Sequence, residues 1–211
     1  GKPIKWSESR SGWIQAGFAA RDYHATSKAA FTKGGKLLAL ETDIVADMGC
    51  DGAERACGLG MPLNGGNYAT GPYECDTYRT RVRCVVTNKA PYNAYRGYGK
   101  DLANMLVERV IDQAADKLEI DPVQIRKINL LKSYPHQIPT GPIIENGTQR
   151  ESLERLEEIM DLDLLRQRQA AYLEKGKYLG LSLIPYIEPA GATFPGSAFQ
   201  NYESVNLRLA A

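Results

Sequence analysis

The sequence predicts an α+β fold in which a mixed sheet, built around a long β-hairpin, is packed by helices. Three observations carry this. Two β-type runs, residues 23–31 and 36–45, flank Thr32-Lys33-Gly34-Gly35, a glycine-bearing turn of the kind that reverses a strand. Residues 77–87 alternate strictly, with Tyr78, Thr80, Val82, Cys84 and Val86 on one face and Arg79, Arg81 and Arg83 on the other. Across residues 101–119, Leu102, Met105, Leu106, Val110, Ala114 and Leu118 recur at helical spacing and form one apolar stripe.

Taken in order, residues 3–7 read as a short strand with Ile4 and Trp6 on one face. The second hairpin arm is rich in aliphatic residues, so one of its faces is expected to be buried. Residues 47–71 contain Gly49, Gly52, Gly58, Gly60, Gly65 and Gly66 and read as a long irregular loop, which also carries Arg55. The arginine stripe of residues 77–87 is expected on a solvated sheet face. In the helix that follows, Met105 is expected to fill core. A second helix starts at Asp121-Pro122, an N-cap followed by proline at the first helical position. Gln124 completes a capping-box pattern, and the helix runs to about Leu131.

Residues 132–147, with Pro135, Pro139, Gly141, Pro142 and Gly147, form a connection and the expected domain boundary, with His136 at the surface. Thr148-Gln149-Arg150-Glu151 repeats the capping-box pattern and opens a helical stretch over 150–174, broken near residues 161–163, with Gly176 as its C-cap. Residues 178–188 and 202–209 read as strands separated by a Gly/Pro-rich loop.

The composition of the 211 residues is 43% hydrophobic and 24% charged, the balance of a folded domain rather than a disordered chain. A net charge of +1 points away from a globally basic nucleic-acid binder. No apolar run approaches the length of a membrane span. No basic-then-apolar leader precedes Lys5, so the expected compartment is cytoplasmic. Cys50, Cys57, Cys75 and Cys84 lack C-x-x-C spacing, and with only His24 and His136 available a zinc site has little support; reduced thiols are the expectation.

The organising stretch is residues 85–100, VVTNKAPYNAYRGYGK. Gly97 and Gly99 flank one aromatic and permit positive φ or close backbone approach. Arg96 brings a permanently charged planar fork, and Tyr95 and Tyr98 bring apolar faces with a polar tip. Strand, glycine-bearing loop and helix start in succession form an address for an anionic ligand, because free N–H groups and the helix dipole converge there. The competing reading is a tight turn whose arginine pairs with a carboxylate.

Residues 87–99, TNKAPYNAYRGYG, resemble the active-site loop of the molybdenum hydroxylases. That family includes xanthine dehydrogenase, aldehyde oxidase and the large subunit of aerobic carbon monoxide dehydrogenase. The resemblance extends through GKPIKW at 1–6, GKLLALETDIVADMG at 35–49, TGPY at 70–73 and DPVQIRKINLL at 121–131. It implies an internal piece of a molybdopterin-binding catalytic subunit. Residues 1–147 would be the C-terminal part of the first molybdopterin-binding domain, and residues 148–211 the start of the second. The family's glycine-rich pterin segment would precede Gly1. Its second cofactor loop and catalytic glutamate would follow Ala211, so no residue here is expected to be the general base.

Carried over residue by residue, the resemblance implies cofactor contacts from Ala94, Arg96, Gly97 and Gly99. Arg96 would stand beside the molybdenum without ligating it and would also meet substrate, and Tyr98 would pack against substrate. The implied cofactor is molybdenum–molybdopterin in the full-length enzyme, with none expected on this fragment alone. The implied reaction is hydroxylation of an aldehyde or an N-heterocycle, a small-molecule substrate. Iron–sulfur and flavin domains or subunits are the implied partners, since clusters need closely spaced cysteine sets absent from this chain. One departure narrows the subfamily: Gly97 stands where carbon monoxide-oxidising members carry a copper-binding cysteine, so that reaction is not expected. The alternative to an enzyme is a binding or assembly module that keeps the scaffold without the chemistry.

Overall fold

A computed structural model describes residues 1–50 and 56–188. At its centre is a three-stranded mixed sheet in the order β1 (Tyr23–Phe31), β2 (Leu37–Asp47), β3 (Thr77–Val85). The hairpin forms as expected, with Tyr23 opposite Ala46 and a bulge between Ala30 and Phe31. β3 lies parallel to β2, with Ala39 opposite Thr77 and Asp47 opposite Val85, so the chain must cross over between them. Arg79, Arg81 and Arg83 face solvent as expected, and Arg83 reaches Asp43 of β2 at 2.8 Å.

The crossover corrects the expectation of an irregular loop over residues 47–71. Helix α2 (Ala56–Asn67) forms there, with Pro62 inside it. Its glycines serve packing rather than turning: a Cβ on Gly66 would lie 2.8 Å from the Thr80 hydroxyl and 2.9 Å from a Val82 methyl. The bare backbone therefore lies directly on β3, and the Gly66 carbonyl accepts a 2.6 Å hydrogen bond from the Tyr78 hydroxyl. Arg55, together with the rest of residues 51–55, falls outside the described residues.

Helix α3 (Lys100–Leu118) crosses the hairpin. Its Leu102, Ala103 and Leu106 pack with Ile44, and its Val107, Val110 and Ile111 pack with Leu37 and Leu40. Met105 is 54% exposed and does not fill core. The buried face is rotated toward Val107 and Ile111, which leaves Met105 on the solvent side. Glu108 is also buried on this face, 5% exposed, a position the apolar pattern alone passes over.

Glu108 is matched from helix α4 (Pro122–Asn129). Asp121 caps α4 as expected, accepting from the Val123 and Gln124 amides at 2.9 and 3.0 Å. The Arg126 side chain, 1% exposed, donates to Glu108 through Nε at 2.8 Å and Nη2 at 2.6 Å, to Asp112 at 2.7 Å, and to the Pro122 carbonyl at 2.8 Å. The Tyr73 hydroxyl donates to the other Glu108 oxygen at 2.6 Å. One helical turn on, Asn129 donates to the Gly35 carbonyl and accepts from the Leu37 amide, both at 2.7 Å, tying α4 to the hairpin turn.

The connection after α4 holds a small antiparallel pair, β4 (His136–Gln137) with β5 (Ile143–Ile144), which turns Ile138 and Ile144 inward. Helices α5 (Gln149–Ile159) and α6 (Leu162–Glu174) break where expected, and Gly176 closes α6 in the left-handed region at φ 67. The capping box at α5 does not form: Thr148 makes no side-chain cap bond, and its hydroxyl meets Ser152 instead. Residues 178–188 pair with no strand among the described residues, although Leu183 is buried; residues 202–209 lie outside the described residues.

Residues 3–7 form no strand either. Ile4 and Trp6 are 94% and 82% exposed, and no neighbouring edge among the described residues receives them. A short helix absent from the sequence reading, α1 (Arg10–Ala16), follows instead, with the Ser9 hydroxyl accepting from the Gly12 amide.

Truncating Leu106 to alanine is expected to cost about 2–5 kcal/mol, since the side chain is buried between α3 and β2. Arg126→Ala is expected to cost about 3–5 kcal/mol, because it leaves Glu108 buried without its counter-charge. The double variant Glu108→Leu/Arg126→Leu should recover most of the second loss, and denaturant titration of the three variants measures both effects.

Candidate functional site

The loop between β3 and α3 is held from below before it reaches the turn of residues 97–99. The Asp47 carboxylate, at the end of β2, accepts from the Thr87 hydroxyl at 2.6 Å and the Gly49 amide at 3.0 Å, and pairs with Lys89 at 2.9 Å. The Thr87 hydroxyl and the Lys89 ammonium, with help from the Gly49 amide, hold this carboxyl at a pKa of about 2. Gly49 is left-handed, and a Cβ there would sit 2.0 Å from the Ala90 carbonyl oxygen, so only glycine lets the loop pass. On the other side Ala19 donates to the Pro91 carbonyl and accepts from the Asn93 amide. Beneath the loop the Tyr23 and Tyr92 rings meet edge to face at 5.8 Å, and their hydroxyls hydrogen-bond. Burial, then the Tyr92 partner, drives the Tyr23 phenol far above its ordinary pKa.

The turn itself is a run of three left-handed residues, Gly97, Tyr98 and Gly99, at φ 100, 44 and 89. Tyr98 donates its amide to the Tyr95 carbonyl at 3.0 Å, and Lys100 donates to the Gly97 carbonyl at 2.9 Å. Gly99 is buried against α2, where a Cβ would meet the Met61 carbonyl oxygen at 2.0 Å. Tyr98 lies over Gly60 of the same helix, where any Cβ would collide with the phenol oxygen at 2.2 Å. Lys100 stands 5.5 Å from the Tyr98 ring centroid and pairs with Glu188 at 3.2 Å.

The predicted site residues therefore separate into two groups. Ala94 and Arg96 are exposed; Gly97 and Tyr98 are half-buried and Gly99 is buried, so these three form the footing of the turn on α2. The competing reading pairs Arg96 with a carboxylate; among the described residues its side chain has no hydrogen-bond or salt-bridge partner. The arginine that pairs with a carboxylate here is Arg21, whose Nε meets Asp101 at 2.6 Å. Asp101 also accepts from the Gly99 amide at 3.2 Å, so the start of α3 is partly filled by its own carboxylate. The contacts of Arg21 with Asp101 and of Tyr23 with Tyr92 escaped the sequence reading, because residues 80 and 69 positions apart leave no local signal.

An exposed guanidinium beside the backbone of residues 94–97 suits an oxygen-rich anion. No cluster of three or more His, Cys, Asp or Glu side chains able to hold a metal ion occurs among the described residues. A separate cleft of about 650 Å³, lined by Asp112, Asp116, Glu119 and Arg166, lies toward the other end of α3. Among the described residues no helix is long and apolar enough to cross a membrane.

Comparison with known proteins agrees with this architecture. The family model of the molybdopterin cofactor-binding domain matches residues 1–130. The chain is 28% identical over 190 residues to the nicotine 6-hydroxylase large subunit of Paenarthrobacter nicotinovorans, covering 90% of this chain and 23% of that protein. It is 32% identical over 201 residues to the carbon monoxide dehydrogenase large chain of Hydrogenophaga pseudoflava, covering 91% of this chain and 25% of that protein. Quinoline 2-oxidoreductase from Pseudomonas putida 86 superposes with a TM-score of 0.75 at 28% identity, over 81% of this chain and 22% of that one. The chain thus spans about a quarter of the length of these relatives. With more than half of its residues matched by the family model, and its fold shared with a solved member, the chain belongs to the molybdopterin cofactor-binding domain family of the molybdenum hydroxylases.

Proposed function

We propose that this chain is the part of a molybdenum-dependent catalytic subunit that presents residues 94–99 to the cofactor, in an enzyme that hydroxylates an aldehyde or an N-heterocycle. The observation that carries the proposal is Arg96: an exposed guanidinium without a counter-ion among the described residues, on a turn whose footing is fixed. A non-catalytic assembly module has no evident use for a cation held this way, whereas an anionic, oxygen-rich group does.

The residues present fit molybdenum–molybdopterin on that donor chemistry. Arg96 would hold the metal-oxygen end through its guanidinium without ligating the metal, and Ala94 is small and exposed, so backbone can come close. Gly97 and Gly99 contribute the left-handed geometry that keeps the turn low against α2. When bound, the cofactor supplies the redox chemistry of hydroxylation. The chain's own share is to orient, and to stabilise negative charge that develops beside Arg96. Tyr98, clamped over Gly60, would form one wall of the substrate position, while the general base would come from elsewhere in the parent protein. Iron–sulfur and flavin domains or subunits would take up the electrons.

Two features support an N-heterocycle or aldehyde over carbon monoxide. The named activities of two relatives, nicotine 6-hydroxylase and quinoline 2-oxidoreductase, concern N-heterocycles. Gly97 offers no side chain to a second metal, and its φ of 100 is one that a side-chain-bearing residue rarely adopts.

Within the full-length enzyme, Arg96→Ala is expected to lower kcat by roughly 10²–10³ at unchanged molybdenum content, the loss typical of one transition-state donor. Tyr98→Ala should chiefly raise KM and relax the choice among substrates. Near-native kcat in Arg96→Ala at full occupancy would remove the assignment. The isolated 211-residue chain is expected to retain no stoichiometric molybdenum, since it spans only about a quarter of its relatives; metal analysis of the purified chain checks this.

A further inference from the structure

We propose that Arg21 is a positioning residue for the Arg96 turn, a clamp reaching it from the segment that leads into β1. Its catalytic consequence rests on the reading of Arg96 given above. One guanidinium makes three contacts with the loop. Nε donates to Asp101 at 2.6 Å, Nη2 donates to the backbone carbonyl of Arg96 itself, and the charged plane lies 4.6 Å from the centroid of the Tyr95 ring. Asp101 carries the clamp onward, since its other oxygen accepts from the Gly99 amide. Arg21 therefore acts on the residue before Arg96, on Arg96, and through Asp101 on the residue that ends the turn.

Backbone conformation supplies an independent observation. Only Arg21, Tyr98 and Glu119 are non-glycine residues with positive φ among the described residues. Glu119 closes a helix, where that conformation is ordinary. The other two sit in this one site, Arg21 at φ 64 and Tyr98 at φ 44. Backbone held in a sparsely populated region persists where the surroundings over-determine it, and such positions gather at functional sites. An isolated, half-exposed ion pair does not meet that description. A planar fork bonded in two directions and stacked on an aromatic does, and lysine cannot reproduce it.

The clamp also bears on Arg96, whose side chain has no counter-ion among the described residues. Asp101 lies against the turn, its carboxylate oxygen 3.1 Å from where a Cβ on Gly97 would be. Arg21 occupies that carboxylate and so keeps it from the neighbouring Arg96.

The test compares Arg21→Lys and Arg21→Gly with the wild type in the full-length holoenzyme. Lysine retains the charge, and glycine relieves the left-handed backbone. Hydrogen exchange is followed at the amides of Tyr98, Gly99 and Lys100, and kcat, KM and molybdenum content are measured in parallel. Both variants are expected to exchange about tenfold faster at these amides, the factor for loss of one charge-assisted hydrogen bond, with kcat reduced, KM little changed and molybdenum content retained. Native exchange in both variants, or full rescue by lysine, overturns the clamp. Faster exchange with native kcat supports the clamp and overturns the role given to Arg96 instead.

Discussion

The Arg126–Glu108 pair is the constraint on which the architecture depends. Two opposite charges removed from water are tolerable only when every donor and acceptor is met, and here Tyr73, Asp112 and the Pro122 carbonyl complete the set. This fixes the angle between α3 and α4 more sharply than apolar packing does, because a hydrogen bond is lost over a few tenths of an ångström while a leucine can slide. Asn129 extends the same logic to the hairpin turn. The charged pair thus joins α3 to α4, and Tyr73 and Asn129 tie that joint to the crossover segment and the hairpin turn.

With α3 fixed in this way, its N-terminus becomes a reliable platform. The turn of residues 97–99 stands on α2 through contacts that exclude even a methyl group, Gly99 on Met61 and Tyr98 on Gly60. Gly99 meets α2 backbone to backbone, Tyr98 sets its phenol on Gly60, and the Arg21 and Asp101 side chains brace the turn from another side. The side chains that remain, Arg96 and Tyr95, are then available to face outward. The footing and the exposed surface are supplied by different residues of the same six-residue stretch.

Much of this was legible in the chain. The hairpin, β3, α3 and α4 carry short-range signals, namely turn glycines, alternation, a helical stripe and an Asp-Pro cap, and all four are found. Failures came where a residue type had two meanings. The glycines of α2 look like loop residues and are instead packing surfaces against β3 and the turn. Alternation over residues 3–7 and 178–188 marks a chain able to be a strand, but pairing needs an edge that sequence cannot supply. Met105 obeys the period of α3, and only the direction of the buried face decides against it. In the site, the organising motif was readable and the state of its arginine was not. Among the described residues the arginine that meets a carboxylate at this turn is Arg21, which is remote in sequence and brought there by tertiary folding alone.

The left-handed run from Gly97 to Gly99 also bears on how such proteins diverge. A single nucleotide change converts many glycine codons to cysteine, so a thiol at position 97 looks one step away. The backbone makes that step costly, since a β-carbon is disfavoured at φ 100 and would press on Asp101. A thiol there is accommodated by a shift of the turn or of Asp101, which carries the pairing of Arg21 with it. Position 97 therefore couples the chemistry of the loop to its conformation, and through Asp101 to the pairing of Arg21.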